Sequence, residues 1–280
     1  MHYTFIGIAV VLFGIQFLFN DVYQKSNGSE LKTTLVFSAG TGAVVAAAMF
    51  AANGFSLSVT WFSLAVGSLI AINNIAYLFC SMKALGKVNL SVYSVFAMLG
   101  GMFLPFVYGI LFYEEGLSVG KVICCVLIGV SLFLNVQKGK QTGKVYYFFV
   151  FFLNGMMGVF AKFHQSFPDI AANSTDLLLL SGMVSFVISV IAMFAVKGKF
   201  KMPAQRSLLC IGGYGVVYGT ANLLVLMSLI HLPASVQYPL ITGGVIIVST
   251  TISFLKKERL SVKNIAAVVL AFAAMIAVNF

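Results

Sequence analysis

Apolar residues along this chain come in long runs divided by short polar breaks, and the run lengths decide what they form. Ten runs are of about 17 to 25 residues, the length a helix rising 1.5 Å per residue needs to cross a hydrocarbon layer about 30 Å thick. They are Tyr3 to Asn20, Leu31 to Ala52, Trp61 to Met82, Leu90 to Tyr113, Val119 to Val136, Val145 to Ala161, Leu177 to Val196, Ser207 to Ile230, Ala234 to Leu255 and Val262 to Phe280. The pattern predicts an all-α membrane protein of ten transmembrane helices, with almost no chain left for a soluble domain.

The breaks carry turn chemistry: Asn27-Gly28-Ser29, Asn53-Gly54, Gly86-Lys87, Gly116, Phe167-Pro168-Asp169 and His231-Leu232-Pro233. Two longer ones, Lys138 to Lys144 and Lys197 to Arg206, are basic. The first of these falls at the middle of the chain.

A repeat is visible across that midpoint. Glu115-Gly116-Leu117-Ser118-Val119 returns as Glu258-Arg259-Leu260-Ser261-Val262; each follows an apolar run, offers a serine able to cap a helix, and leads to an asparagine, Asn135 or Asn279. Phe13-Gly14 pairs likewise with Asn154-Gly155, Ala39-Gly40 with Ser181-Gly182, and Ser91-Val92 with Ser235-Val236. The expected organisation is a first five-helix repeat over 1–137, a basic linker over 138–144 and a second repeat over 145–280. Five crossings is an odd number, so the second repeat enters the membrane with the opposite polarity. Inverted repeats of this kind place a ligand site near mid-depth between the halves.

Composition removes the alternatives to a membrane. Hydrophobic residues make up 60%, charged residues 9%, and the mean hydropathy is +1.03, which leaves too little charge to cover a water-soluble surface. The net charge of +10 lies in short loop clusters and not on one face, so its expected partners are anionic lipid head groups and not nucleic acid. Fifteen of the 17 lysines and arginines flank odd-to-even connections; Lys121 and Lys162 are the other two. The positive-inside rule then puts those connections in the cytoplasm and both termini outside, as in a multi-pass protein of the plasma (inner) membrane. Met1-His2-Tyr3 supplies no basic segment of a signal peptide, so the first run reads as a retained helix.

These features resemble the drug/metabolite transporter superfamily in its ten-helix form with two EamA-type repeats. The likeness rests on the spacing of Gly155 and Lys162 in the sixth run, Ala84-Leu85 at the end of the third, and Glu-x-Leu-Ser followed by a glycine-bearing helix. From Tyr238-Pro239 through Gly243-Gly244 to Asn279 the chain also resembles the closing half of small multidrug resistance proteins. The resemblance implies a secondary transporter with cytoplasmic termini, the reverse of what the charge bias implies. The essential first-helix glutamate of the small multidrug resistance proteins has no counterpart, since Tyr3 to Asn20 and Val145 to Ala161 lack carboxylates.

Chemistry has few places to reside. The seven acids, Asp21, Glu30, Glu114, Glu115, Asp169, Asp176 and Glu258, all fall at run ends or in breaks, which leaves proton coupling at mid-depth without a carboxylate. Asp21 comes nearest, and it shares its position in the repeat with Lys162; both read either as interfacial charges or as gating or coupling groups. Glu115 and Glu258 lie at helix starts, where a carboxylate favours the dipole. Polar groups inside the runs are the better substrate-binding candidates, because an amide in hydrocarbon needs a partner. Asn73, Asn74 and Tyr77 lie in the third run, Tyr214, Tyr218 and Asn222 form a ladder at spacing four in the eighth, and Gln16, Tyr93, Gln237 and Tyr238 join them. Their alternative role is hydrogen bonding between helices. Pro105 and Pro239 interrupt corresponding runs, as helices beside a transport site often are.

Cys80, Cys124, Cys125 and Cys210 sit within apolar runs without CxxC spacing, and His2, His164 and His231 are scattered, so neither a metal, a cofactor nor a catalytic group is expected. No nucleophile and base can be assembled at one depth, which argues against an enzyme. The expected function is a secondary transporter moving a small polar metabolite by alternating access, as facilitator or exchanger, in a monomer or homodimer. The alternatives are a proton-coupled multidrug or cation exporter and a non-transporting membrane subunit or sensor.

Overall fold

A computed structural model describes residues 2–113, 118–120, 122–123, 126–127, 130, 144–196, 203–232, 234–258 and 262–277. Among the described residues every regular element is an α-helix. Nine helices are described: α1 (His2–Asn27), α2 (Leu31–Ala52), α3 (Trp61–Leu85), α4 (Leu90–Tyr113), α5 (Lys144–Gln165), α6 (Ser174–Ala195), α7 (Gln205–Leu229), α8 (Ala234–Leu255) and α9 (Val262–Ala277). Within the predicted fifth run, residues 119, 120, 122, 123, 126, 127 and 130 are helical and the others lie outside the described residues. Outside them too are Glu114 to Leu117, Lys121, Cys124 and Cys125, residues 138–143 of the expected linker, and Arg259 to Ser261.

Seven helices, α1 to α7, are long and apolar enough to cross a membrane, and α8 adds a shorter apolar stretch from Leu240 to Leu255. The protein is therefore an integral membrane protein. Its outward side chains are those a bilayer accepts: Phe194 is 88% exposed, Trp61 87% and Phe254 75%.

Local sequence explains where the helices stop. Gly28 and Gly54 take the left-handed conformation, φ 84° and 64°, that ends α1 and α2. The Thr60 side chain caps α3 by accepting from the Ser63 N–H at 3.1 Å, and Asn173 caps α6 by accepting from that of Asp176 at 2.8 Å. Several boundaries differ from the apolar pattern, most of all that of α1, which does not end at Asn20 but runs on to Asn27. Asn20 and Asp21 are each 1% exposed because both find polar partners inside the bundle, so their polarity marks a contact and not a helix end. Similarly α5 continues past Ala161 to Gln165.

Helix neighbours are few and definite. α1 packs on α7 and α8, α2 on α6 and α7, α3 on α5 and α6, and α4 on α5 and α8. Lipid is as apolar as leucine, so close backbone approach and hydroxyl bonds hold such a bundle. At the α4–α5 crossing a Cβ on Gly100 would lie 1.9 Å from the Phe151 carbonyl oxygen; at α2–α6 one on Gly42 would lie 2.8 Å from that of Gly182. Ser38 lies between Ser185 and Ser189, at 3.1 and 3.0 Å, and ties α2 to α6. Between α4 and α8 the Ser249 hydroxyl donates to Ser94 at 2.6 Å, and Ser91 pairs with Thr250 at 2.9 Å.

Candidate functional site

At the centre of the bundle is a cavity of about 120 Å³ walled by seven helices. α1 contributes Phe13, Gln16 and Phe17, α3 contributes Asn74 and Tyr77, and α4 contributes Met98 and Gly101. From the later part of the chain come Asn154 and Met157 on α5, Leu177 on α6, Tyr218 and Asn222 on α7, and Tyr238 and Thr242 on α8. Among the described residues, none that lines it is acidic or basic.

Six of the ten residues singled out in the sequence therefore meet at one wall: Gln16, Asn74, Tyr77, Tyr218, Asn222 and Tyr238. The other four lie behind it. Asn73 donates its amide to the Leu153 carbonyl at 2.9 Å and braces α3 against α5. Tyr214 accepts from the Gln16 amide at 3.0 Å, and its ring stacks on that of Tyr218. Gln237 donates to the Val225 carbonyl at 2.7 Å, fastening α8 to α7. Tyr93, fully buried, shares a 2.6 Å hydrogen bond with Tyr77. Pro105 lies inside α4 with its ring against Gly158, where a Cβ would come within 2.4 Å of it, and Pro239 falls within α8.

Sequence reasoning missed Asn154 and Thr242, along with the apolar walls. Asn154 had been noticed as half of a repeat mark only; a lone amide in an apolar run was the available signal. It donates to the Ala97 carbonyl at 2.7 Å, and Thr242 donates to that of Met98 at 3.3 Å.

A polar chain leads from the cavity to one end of the bundle. Tyr77 bonds Tyr93, Tyr93 bonds Ser81 at 2.6 Å, and the Asn20 amide donates to Ser81 at 2.6 Å. Next along α1 stands Asp21, whose buried carboxylate is ion-paired to Lys25 at 2.9 Å and to Lys256. Glu258 completes the cluster, 3.4 Å from Lys25 and 3.8 Å from Lys256, while accepting from the Leu90 N–H at 3.3 Å. This end thus joins α1, the foot of α4 and the exit of α8. Asp21, which the sequence offers either as an interfacial charge or as a gating or coupling group, lies within α1, and its partners are lysines of the protein. Lys162, its counterpart in the repeat expected from the sequence, lies in the last turn of α5, half-buried.

At the opposite end, Asn53 donates to the buried Asp176 carboxylate at 2.8 Å, and Ser63 bonds His164 at 2.8 Å. His2 and His231, remote in sequence, have ring centroids 4.2 Å apart. Among the described residues no group of histidine, cysteine, aspartate and glutamate is arranged to hold a metal ion.

No family model and no curated protein matches this chain. Among solved structures, 28 chains match. One of them, described only as the crystal structure of a protein, superposes with a TM-score of 0.59 over 97% of this chain and 94% of its own, at 16% identity. At that identity the likeness is one of fold alone.

Proposed function

We propose that this protein is a secondary transporter that moves a small polar metabolite across the membrane by alternating access, as a facilitator or exchanger. The observation that carries this reading is the cavity itself. Helices from both parts of the chain wall it, and the Tyr77–Tyr93–Ser81–Asn20 chain leads from it to the ion pairs at one end of the bundle.

The architecture in this proposal is ten helices in two inverted five-helix halves, 1–137 and 145–280, of the EamA type of drug/metabolite transporter. The helix contacts support it. Exchanging α1 with α5, α2 with α6, α3 with α7 and α4 with α8 turns the pair α1–α7 into α5–α3, α1–α8 into α5–α4, and α2–α7 into α6–α3, all of which occur. α2–α6 and α4–α8 map onto themselves. The glycines agree: Gly14 of α1 meets Val248 of α8, and its mate Gly155 of α5 meets Gly100 and Leu104 of α4. Rocking one half against the other would break the ion-paired end and open the cavity there.

Because no carboxylate among the described residues lines the cavity, transport in this reading follows the substrate gradient and needs no proton. Asp21 acts in closing the end, not in coupling. Counterflow of a radiolabelled ligand in liposomes tests the reading: vectorial exchange supports it, binding without movement indicates a subunit or sensor, and chemical turnover without movement indicates an enzyme. Uptake that follows an imposed proton gradient and is lost in Asp21→Asn would favour a proton-coupled exporter.

A further inference from the structure

The hydrogen-bonding capacity left over in the cavity says what its ligand must bring. Gln16 is 3% exposed and Asn74 9%, yet Gln16 Oε1 and Asn74 Oδ1 have no hydrogen-bond partner among the described residues. Buried amide oxygens are rarely left so, because an orphaned acceptor has given up its water for nothing. In Gln16, Asn154 and Asn222 the protein takes an N–H of the amide, through Tyr214, Ala97 and Tyr218, and leaves the oxygen. Asn74 differs, because neither end of its amide is bonded to another of the described residues.

An acceptor-rich wall calls for N–H donors on the ligand. The single amide free at both ends calls for a donor and an acceptor side by side, the edge that a primary carboxamide reads with two parallel hydrogen bonds, as asparagine reads adenine. Carboxylates are disfavoured, since the buried lining atoms left without partners are amide oxygens, which repel an anion, and among the described residues no basic side chain lines the site. A cation is disfavoured as well, because among the described residues no acidic side chain lines the site and an unpaired charge is costly there. Tyr77, Tyr218 and Tyr238 offer flat faces, and 120 Å³ is near the roughly 150 Å³ that accepts a benzene ring in an engineered cavity.

Resting on the transporter reading above, we propose that the substrate is a neutral, planar, single-ring compound whose adjacent N–H and C=O groups pair with the Asn74 amide, with a further N–H donated to Gln16 Oε1. Uracil is a probe of this class. In 1,3-dimethyluracil the ring and carbonyls are kept and both donors are gone, while alanine and ethylammonium represent zwitterions and cations.

Calorimetry on the purified full-length protein provides the test. Uracil should bind, 1,3-dimethyluracil on the order of tenfold more weakly or less, and alanine and ethylammonium not measurably. Asn74→Leu should weaken uracil on the order of tenfold or more with an unchanged melting temperature, since Asn74 has no protein partner to orphan. Asn74→Ala serves if the leucine variant does not fold. Tighter binding of alanine or ethylammonium, undiminished binding by the Asn74 variant, or binding of none of the four would overturn the assignment. The transport reading fails separately: uracil that binds but shows no counterflow refutes transport and keeps the ligand class, whereas counterflow of alanine keeps transport and refutes the class.

Discussion

Asn73 and Asn74 are adjacent, chemically identical and almost equally buried, and the bundle gives them different work. Asn73 faces α5 and donates to the Leu153 carbonyl, whereas Asn74 lines the cavity with no hydrogen-bond partner among the described residues. Asn73→Leu should therefore cost about 1–3 kcal/mol of stability, seen as a lower melting temperature in detergent, and Asn74→Leu about 0.5 kcal/mol or less. Equal losses for the two would contradict the division. The sequence could single out both, since an amide in an apolar run always needs an explanation, but adjacent residues on a helix point about 100° apart and only the neighbouring helix decides which is satisfied. For the same reason Gln237 and Tyr93 were legible as polar residues in apolar runs, though not as braces behind the wall.

At the scale of elements, helix positions were legible and helix ends less so. Apolar run length located α2, α4 and α8 to the residue, because turn residues bound those runs. It stopped α1 too early, since a run-length argument cannot know that Ser81 and Lys256 wait inside for Asn20 and Asp21. Close crossings depend on glycine in a testable way. Gly100→Ala should destabilise by about 1–3 kcal/mol, because its methyl group meets the backbone of α5. Gly212→Ala, with nothing within 4 Å of the new carbon, should be neutral or stabilise by up to about 1 kcal/mol through helix propensity. Thermal melting of the two variants separates packing from propensity.

The ion-paired end is an element-level device too. Asp21 is 1% exposed, and of its partners Lys25 is half exposed while Lys256 is 27% exposed, so the Lys256 pair holds more of the closure. In a protein keeping Cys80 as its only cysteine, Lys256→Met should speed alkylation of that buried thiol, and Lys25→Met should speed it less. An unchanged rate in both would show that the cluster is not a latch.

At the scale of the whole molecule, the proposed inverted repeat was suggested by short marks, and the exchange of helix contacts between the two parts of the chain supports it. Two of those marks, at Glu115 and at Arg259 to Ser261, lie outside the described residues. With 15 of 17 basic residues flanking connections that the proposed ten-helix arrangement puts on one side, both termini should face away from the cytoplasm, and a carboxy-terminal reporter active only in the cytoplasm should stay silent. What most directly tests the proposed transport is counterflow into liposomes loaded with unlabelled uracil. The account predicts that labelled uracil accumulates transiently, that an imposed proton gradient leaves its rate unchanged, and that Asn74→Leu abolishes it. No accumulation above protein-free liposomes, with uracil shown to bind the same preparation, would contradict it.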